Sequence, residues 1–118
     1  MATKWSRSRL LRKCQEILRS PNLRITQAHF QPNICATVTW GSGEPTIIKV
    51  DPAQDGIITC VIHELLHIAL ANDLRAFDDS DLEEPIIEML ESILYQSLTS
   101  RQHKWWRRII TTKLGEHH

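Results

Sequence analysis

The sequence predicts an α+β fold, one domain over residues 1–118 in which helices flank a small three-stranded, mostly antiparallel sheet. Three observations carry this expectation. Apolar residues recur at helical spacing early in the chain (Leu10, Leu11, Cys14, Ile17, Leu18) and again late (Ile86, Ile87, Leu90, Ile93, Leu94, Leu98). Between these stretches, β-branched and aromatic residues alternate with polar ones in short runs broken by Pro, Gly and Asn. Hydrophobic residues make up 42% of the 118, which suits a single core and leaves little room for a second.

The elements follow in order. Trp5 to Arg19 reads as an amphipathic helix stopped by Ser20-Pro21-Asn22, an N-terminal unit of residues 1–20. Leu23 to Phe30 and Ile34 to Trp40 read as a hairpin across Gln31-Pro32-Asn33. The loop Gly41-Ser42-Gly43-Glu44-Pro45 leads to a third strand, Thr46 to Val50, stopped by Asp51-Pro52. Ile57 to Ala71 is too long for a strand and reads as a buried helix, with Asp55 as N-cap and Asn72 as stop. Ser80-Asp81-Leu82-Glu83 has the pattern of a capping box opening a further helix through Leu98, with Pro85 near its start. Arg101 to Leu114 completes the set as a helix within a basic C-terminal segment, residues 101–118; the closing His117-His118 resembles a purification-tag remnant and is set aside.

Charge cancels overall but is unevenly spread. Residues 1–24 hold Lys4, Arg7, Arg9, Arg12, Lys13, Arg19 and Arg24 against Glu16 alone, and residues 101–113 hold five further Lys/Arg with no acid. Between Ile25 and Ser100, Lys49 and Arg75 face twelve Asp/Glu. Such a division suits either two solvated basic helices or a polyanion partner, for which Trp5, Trp40, Trp105 and Trp106 would supply stacking surfaces. Neither a membrane-length apolar run nor a secretory h-region is present, so the expected setting is the cytoplasm, without membrane association. Cys14, Cys35 and Cys60 contain no Cys-x-x-Cys pair, and buried free thiols are expected.

The chemistry concentrates in the buried helix. From Ile57 to Ala71 its polar side chains are Thr59, His63, Glu64 and His67. Thr59, His63 and His67 are four apart, so they share one helical stripe with Glu64 beside it. Histidines at i and i+4 offer two imidazoles to one metal ion from a rigid element, and the intervening glutamate is placed to act on water rather than bind the ion. Composition gives about 0.02 chance copies of His-Glu-x-x-His in this chain, so the pattern is informative without being decisive. A third protein ligand is needed. Glu84 and Glu88, four apart on the following helix, both fit, one as ligand and the other as support for a histidine; Glu91 is a further candidate. Asp73 would serve if the ligand followed the motif directly, but Leu70 stands where that pattern needs glycine; Asp78 and Asp79 lie further out.

The run His63-Glu64-Leu65-Leu66-His67, followed on a helix by Glu83-Glu84-Pro85-Ile86-Ile87-Glu88, resembles the gluzincin metallopeptidases. Chain length and element order are similar to those of the minigluzincins and of short metallopeptidase-like proteins of phages and prophages. The likeness covers roughly Thr46 to Leu98. It implies a minimal zincin-like domain, a hydrolase binding one Zn2+ through His63, His67 and Glu84, with Glu88 supporting a histidine. A glutamate at 88 replaces the more usual aspartate, which leaves Glu84 and Glu88 exchangeable. The resemblance further implies peptide-bond hydrolysis with Glu64 as general base, and a peptide or protein substrate bound along an edge strand, either Ile34 to Trp40 or Thr46 to Val50. It also implies a terminal segment, here Arg101 to His118, able to fill the cleft, with His103 or Tyr95 as candidate oxyanion donors. The rivals are a catalytically silent or self-inhibited zinc-binding interaction module and a DNA-associated protein using its basic ends.

Overall fold

In the computed structural model, residues 6–29, 36–41, 44–51, 56–71 and 80–115 are described. They form helix α1 (Arg7–Arg19), strands β1 (Leu23–Gln27), β2 (Ala36–Gly41) and β3 (Glu44–Val50), and helices α2 (Ile57–Ala69), α3 (Ser80–Ser97) and α4 (Ser100–Gly115). The α+β expectation holds. Asp73, Asp78, Asp79, Asp55, Cys35 and the Gln31-Pro32-Asn33 turn lie outside the described residues, as do the side chains of the Ser80–Glu83 capping box.

α1 begins at Ser6, whose hydroxyl accepts from the Arg9 backbone N–H at 3.1 Å, and buries Leu10, Cys14 and Leu18 along one stripe. In α4 the start is a reciprocal capping box. The Gln102 N–H donates to Thr99 Oγ1 (3.1 Å), and the Thr99 N–H donates to Gln102 Oε1 (2.8 Å). α3 carries Pro85 as its sixth residue, where the missing N–H removes one intrahelical bond.

Strand pairing departs from the sequence expectation. The order is β1-β3-β2, with β1 parallel to β3 and β2 antiparallel to β3. The sheet is therefore mixed rather than mostly antiparallel, and the β1–β2 hairpin expected across residues 31–33 does not form. The hairpin is β2–β3, in which Gly41 pairs with Glu44 across a two-residue connection. β3 takes the centre because its Ile48 and Val50 are fully buried, while β1 contributes Leu23 and Ile25 on alternate positions. Thr46 to Val50 is consequently not an edge, which leaves β2 as the edge strand of the two considered.

α2 crosses the sheet and packs against β2, β3, α1, α3 and α4, so Val61, Ile62, Leu65 and Leu66 have no exposed surface. α4 closes the domain with Trp106 and Ile110 in the core. Its Trp106 Nε1–H donates to Gln15 Oε1 of α1 at 3.2 Å. Lys113, counted from sequence among the basic surface residues, is buried; its ammonium donates to the carbonyls of Ser20 (3.0 Å) and Leu23 (2.9 Å), joining α4 to the α1–β1 corner. Cys14 is a buried free thiol as expected, and its burial pushes the pKa up to about 12. Cys60 is disulfide-bonded, contrary to the expectation of free thiols, with its partner outside the described residues. Among the described residues, no helix is long and apolar enough to cross a membrane.

Candidate metal centre

The site is built on α2, and its position follows from how that helix starts. Gly56 is the N-cap, in place of the expected Asp55, with φ of 79° in the left-handed region where a side chain is strained. A Cβ at Gly56 would also meet Thr59 Oγ1 at 2.9 Å. Thr59, the first member of the polar stripe, spends its hydroxyl on the Gly56 carbonyl (2.7 Å) and so steadies the first turn. One turn on, His63 and His67 remain as the functional part of the stripe. Their side chains are 20% and 16% exposed, accessible at the edge of an otherwise buried helix.

α3 packs against α2 and turns Ile87, Leu94 and Leu98 into the core. Glu84 and Glu91 are seven residues apart, nearly two full turns, so both fall on the side facing the histidines. Glu84 Oε1 lies 2.9 Å from His67 Nε2, and its Oε2 lies 3.3 Å from His63 Nε2. The two Nε2 atoms are 3.3 Å apart. On its far side, His63 Nδ1–H donates to Glu91 Oε1 at 2.9 Å. Glu88 is exposed and stands outside this group, so the acid supporting a histidine is Glu91 rather than Glu88.

His63, His67 and Glu84 together can hold a metal ion: one ligand atom from each lies within 4.8 Å of the others. The separations fit such an occupant. Ligands at 2.0–2.1 Å in a tetrahedron stand about 3.3 Å from one another, the separation of the two Nε2 atoms, and each Nε2 has a different Glu84 oxygen beside it. Proton placement points the same way. With Nδ1–H committed to Glu91, a neutral His63 presents a lone pair at Nε2, and that lone pair faces a Glu84 oxygen at 3.3 Å. Two acceptors at that distance repel unless a cation or a proton lies between them. With neutral imidazoles, Glu84 and Glu91 bring two negative charges to the site and Glu64 a third once it ionises, a field suited to a divalent cation.

Glu64 is 8% exposed. Its pKa is raised from 4.5 to about 7, chiefly by burial; His67 opposes the rise, and Glu84 and Glu91 add to it. A carboxyl poised there can take or return a proton near neutrality. Tyr95 and His103 meet edge to face, ring centroids 5.0 Å apart, across α3 and α4.

The four residues named from sequence, His63, Glu64, His67 and Glu84, are thus brought together. Set against protein-family models, curated proteins and solved structures, the chain matches none of them.

Proposed function

We propose that the chain is a zinc-dependent metallopeptidase of gluzincin-like, minigluzincin-sized design, with His63, His67 and Glu84 holding one Zn2+ and Glu64 acting as general base. The observation that carries this is the meeting of His63 Nε2, His67 Nε2 and the two oxygens of the Glu84 carboxylate within hydrogen-bonding range of one another, beside a buried glutamate. A zinc ion held there would supply Lewis acidity, lowering the pKa of water at its open position from about 16 to about 7 and polarising a substrate carbonyl.

The chain's own residues do the rest. Glu91 fixes the His63 ring with Nε2 turned inward, so the ligand atom needs no reorientation. Glu64 accepts a proton from the attacking water and returns it to the leaving amine, a task suited to a carboxyl that titrates near 7. An extended peptide would add to β2, an edge of the sheet that packs against α2. The proposed setting is the cytoplasm, where the Cys60 disulfide would have to withstand a reducing thiol pool.

The test has two parts. Metal analysis should find zinc near one equivalent in the wild type and near zero in His63→Ala. A peptide-library digest should then show cleavage that Glu64→Gln abolishes while zinc stays bound. Zinc retained without cleavage supports the rival, a silent zinc-binding module; absence of zinc from the wild type removes both.

A further inference from the structure

Away from the metal centre, α1 and α4 are joined by the Trp106–Gln15 hydrogen bond and build a basic face. A groove between them is lined by Gln15 and Arg19 of α1 and by Arg101, Gln102 and Trp105 of α4. A second groove runs along α4 past His103, Lys104, Arg107, Arg108, Thr111 and Thr112. Arg19, Arg101, Lys104, Arg107 and Arg108 are exposed, and none of them forms an ion pair among the described residues. α4 contains no acid at all. Five cations left without carboxylates on adjoining surfaces are the electrostatic footprint of a polyanion.

The grooves also say which polyanion. Trp105 stands edge to face with the fully buried Trp106, ring centroids 6.0 Å apart, and Trp106 is tied to Gln15. Its ring is therefore held in place before any ligand arrives, with two arginines and two amide side chains around it. An aromatic ring among cations and amides offers stacking and hydrogen bonding to an unpaired base, and the Thr111 hydroxyl and the cations along α4 offer contacts to phosphates. An anionic lipid surface would call instead for apolar side chains at the centre of the patch. Among the described residues the exposed large hydrophobics, Met89 and Ile93, are on α3.

We infer that the α1–α4 face binds single-stranded nucleic acid, phosphates on Arg19, Arg101, Lys104, Arg107 and Arg108 and a base stacked on Trp105. This is independent of the metal centre, and an unchanged thermal unfolding transition followed by circular dichroism serves as the folding control for every variant. The probe is a fluorescein-labelled dT20 oligonucleotide followed by anisotropy. Five phosphate contacts predict a slope of log K against log salt of about −3.5. The double variant Arg107→Glu with Arg108→Glu should bind at least tenfold more weakly at 50 mM salt and flatten the slope to about −2. Trp105→Leu should weaken binding about tenfold with the slope unchanged. The inference is overturned by absence of dT20 binding at 50 mM salt, by binding that the charge reversals leave intact, or by a preference for vesicles of 30% phosphatidylserine over the oligonucleotide.

Discussion

Replacing Glu64 by Gln should stabilise the metal-free protein while ending its turnover. Burial among other carboxylates lifts this group from 4.5 in the unfolded chain to about 7 in the fold. The folded state thus binds its proton more tightly, and stability is lost as pH rises from 4.5 through 7. Each tenfold difference in acidity is worth about 1.4 kcal/mol, so ionised Glu64 costs the fold about 3 kcal/mol at pH 8 and less than about 1 kcal/mol at pH 5. Glutamine has nearly the same shape and no charge. The variant should therefore exceed the wild type by about 3 kcal/mol at pH 8, roughly 10 °C in Tm, with the gain shrinking to under about 1 kcal/mol at pH 5. Urea unfolding in the presence of EDTA measures both values. Saturating zinc supplies an internal control, since the ion's charge offsets the desolvation of Glu64 and should narrow the gap. An equal effect at the two pH values, or a less stable variant at pH 8, would refute the assignment of Glu64 as a carboxylate held in an unfavourable charged form.

Glu91→Gln should keep one zinc equivalent but lower its affinity about 10- to 100-fold, measured by competition with a chromophoric chelator; unchanged affinity would show that the contact to His63 Nδ1 does not orient the ligand. Glu88→Gln, by contrast, should leave zinc affinity unaltered. Lys113→Met should cost about 1–3 kcal/mol in chemical denaturation, because the Ser20 and Leu23 carbonyls lose a charged donor in a buried corner. Cys14 should resist iodoacetamide at pH 8 in the folded protein and react on unfolding, as its thiol is buried and ionises only near 12.

The parts legible in the sequence are those fixed by spacing along a single helix. His63 and His67 share a stripe whatever surrounds them, and Glu84 follows from packing the next helix against that stripe. Glu91 was ranked behind Glu88 because a step of four is the commoner habit. On α3 the step of seven from Glu84 turns through nearly two full revolutions and keeps Glu91 on the facing side. Strand pairing was less legible, since it depends on contacts between distant segments. Still, a signal was available. Two β-branched runs flank the short connection between Gly41 and Glu44, which favours β2–β3 over a turn at Gln31-Pro32-Asn33. Lys113 looked like one more surface cation because its burial is decided by carbonyls 90 and 93 residues away. The α4 capping box at Thr99 and Gln102 could have been read from the Thr-x-x-Gln pattern.

The fastening of α4 onto the first corner of the chain bears on how the molecule is made. Gln15 and Leu23 wait for partners 91 and 90 positions downstream. At about 5–20 residues per second on the ribosome, the parts of α1 and β1 that α4 covers would stand bare for roughly 5 to 20 seconds. β1 must in addition await β3 to gain a neighbouring strand. The nascent amino-terminal half is therefore an expected client for holding chaperones, and final compaction should come late, in one step, when Trp106 and Lys113 emerge.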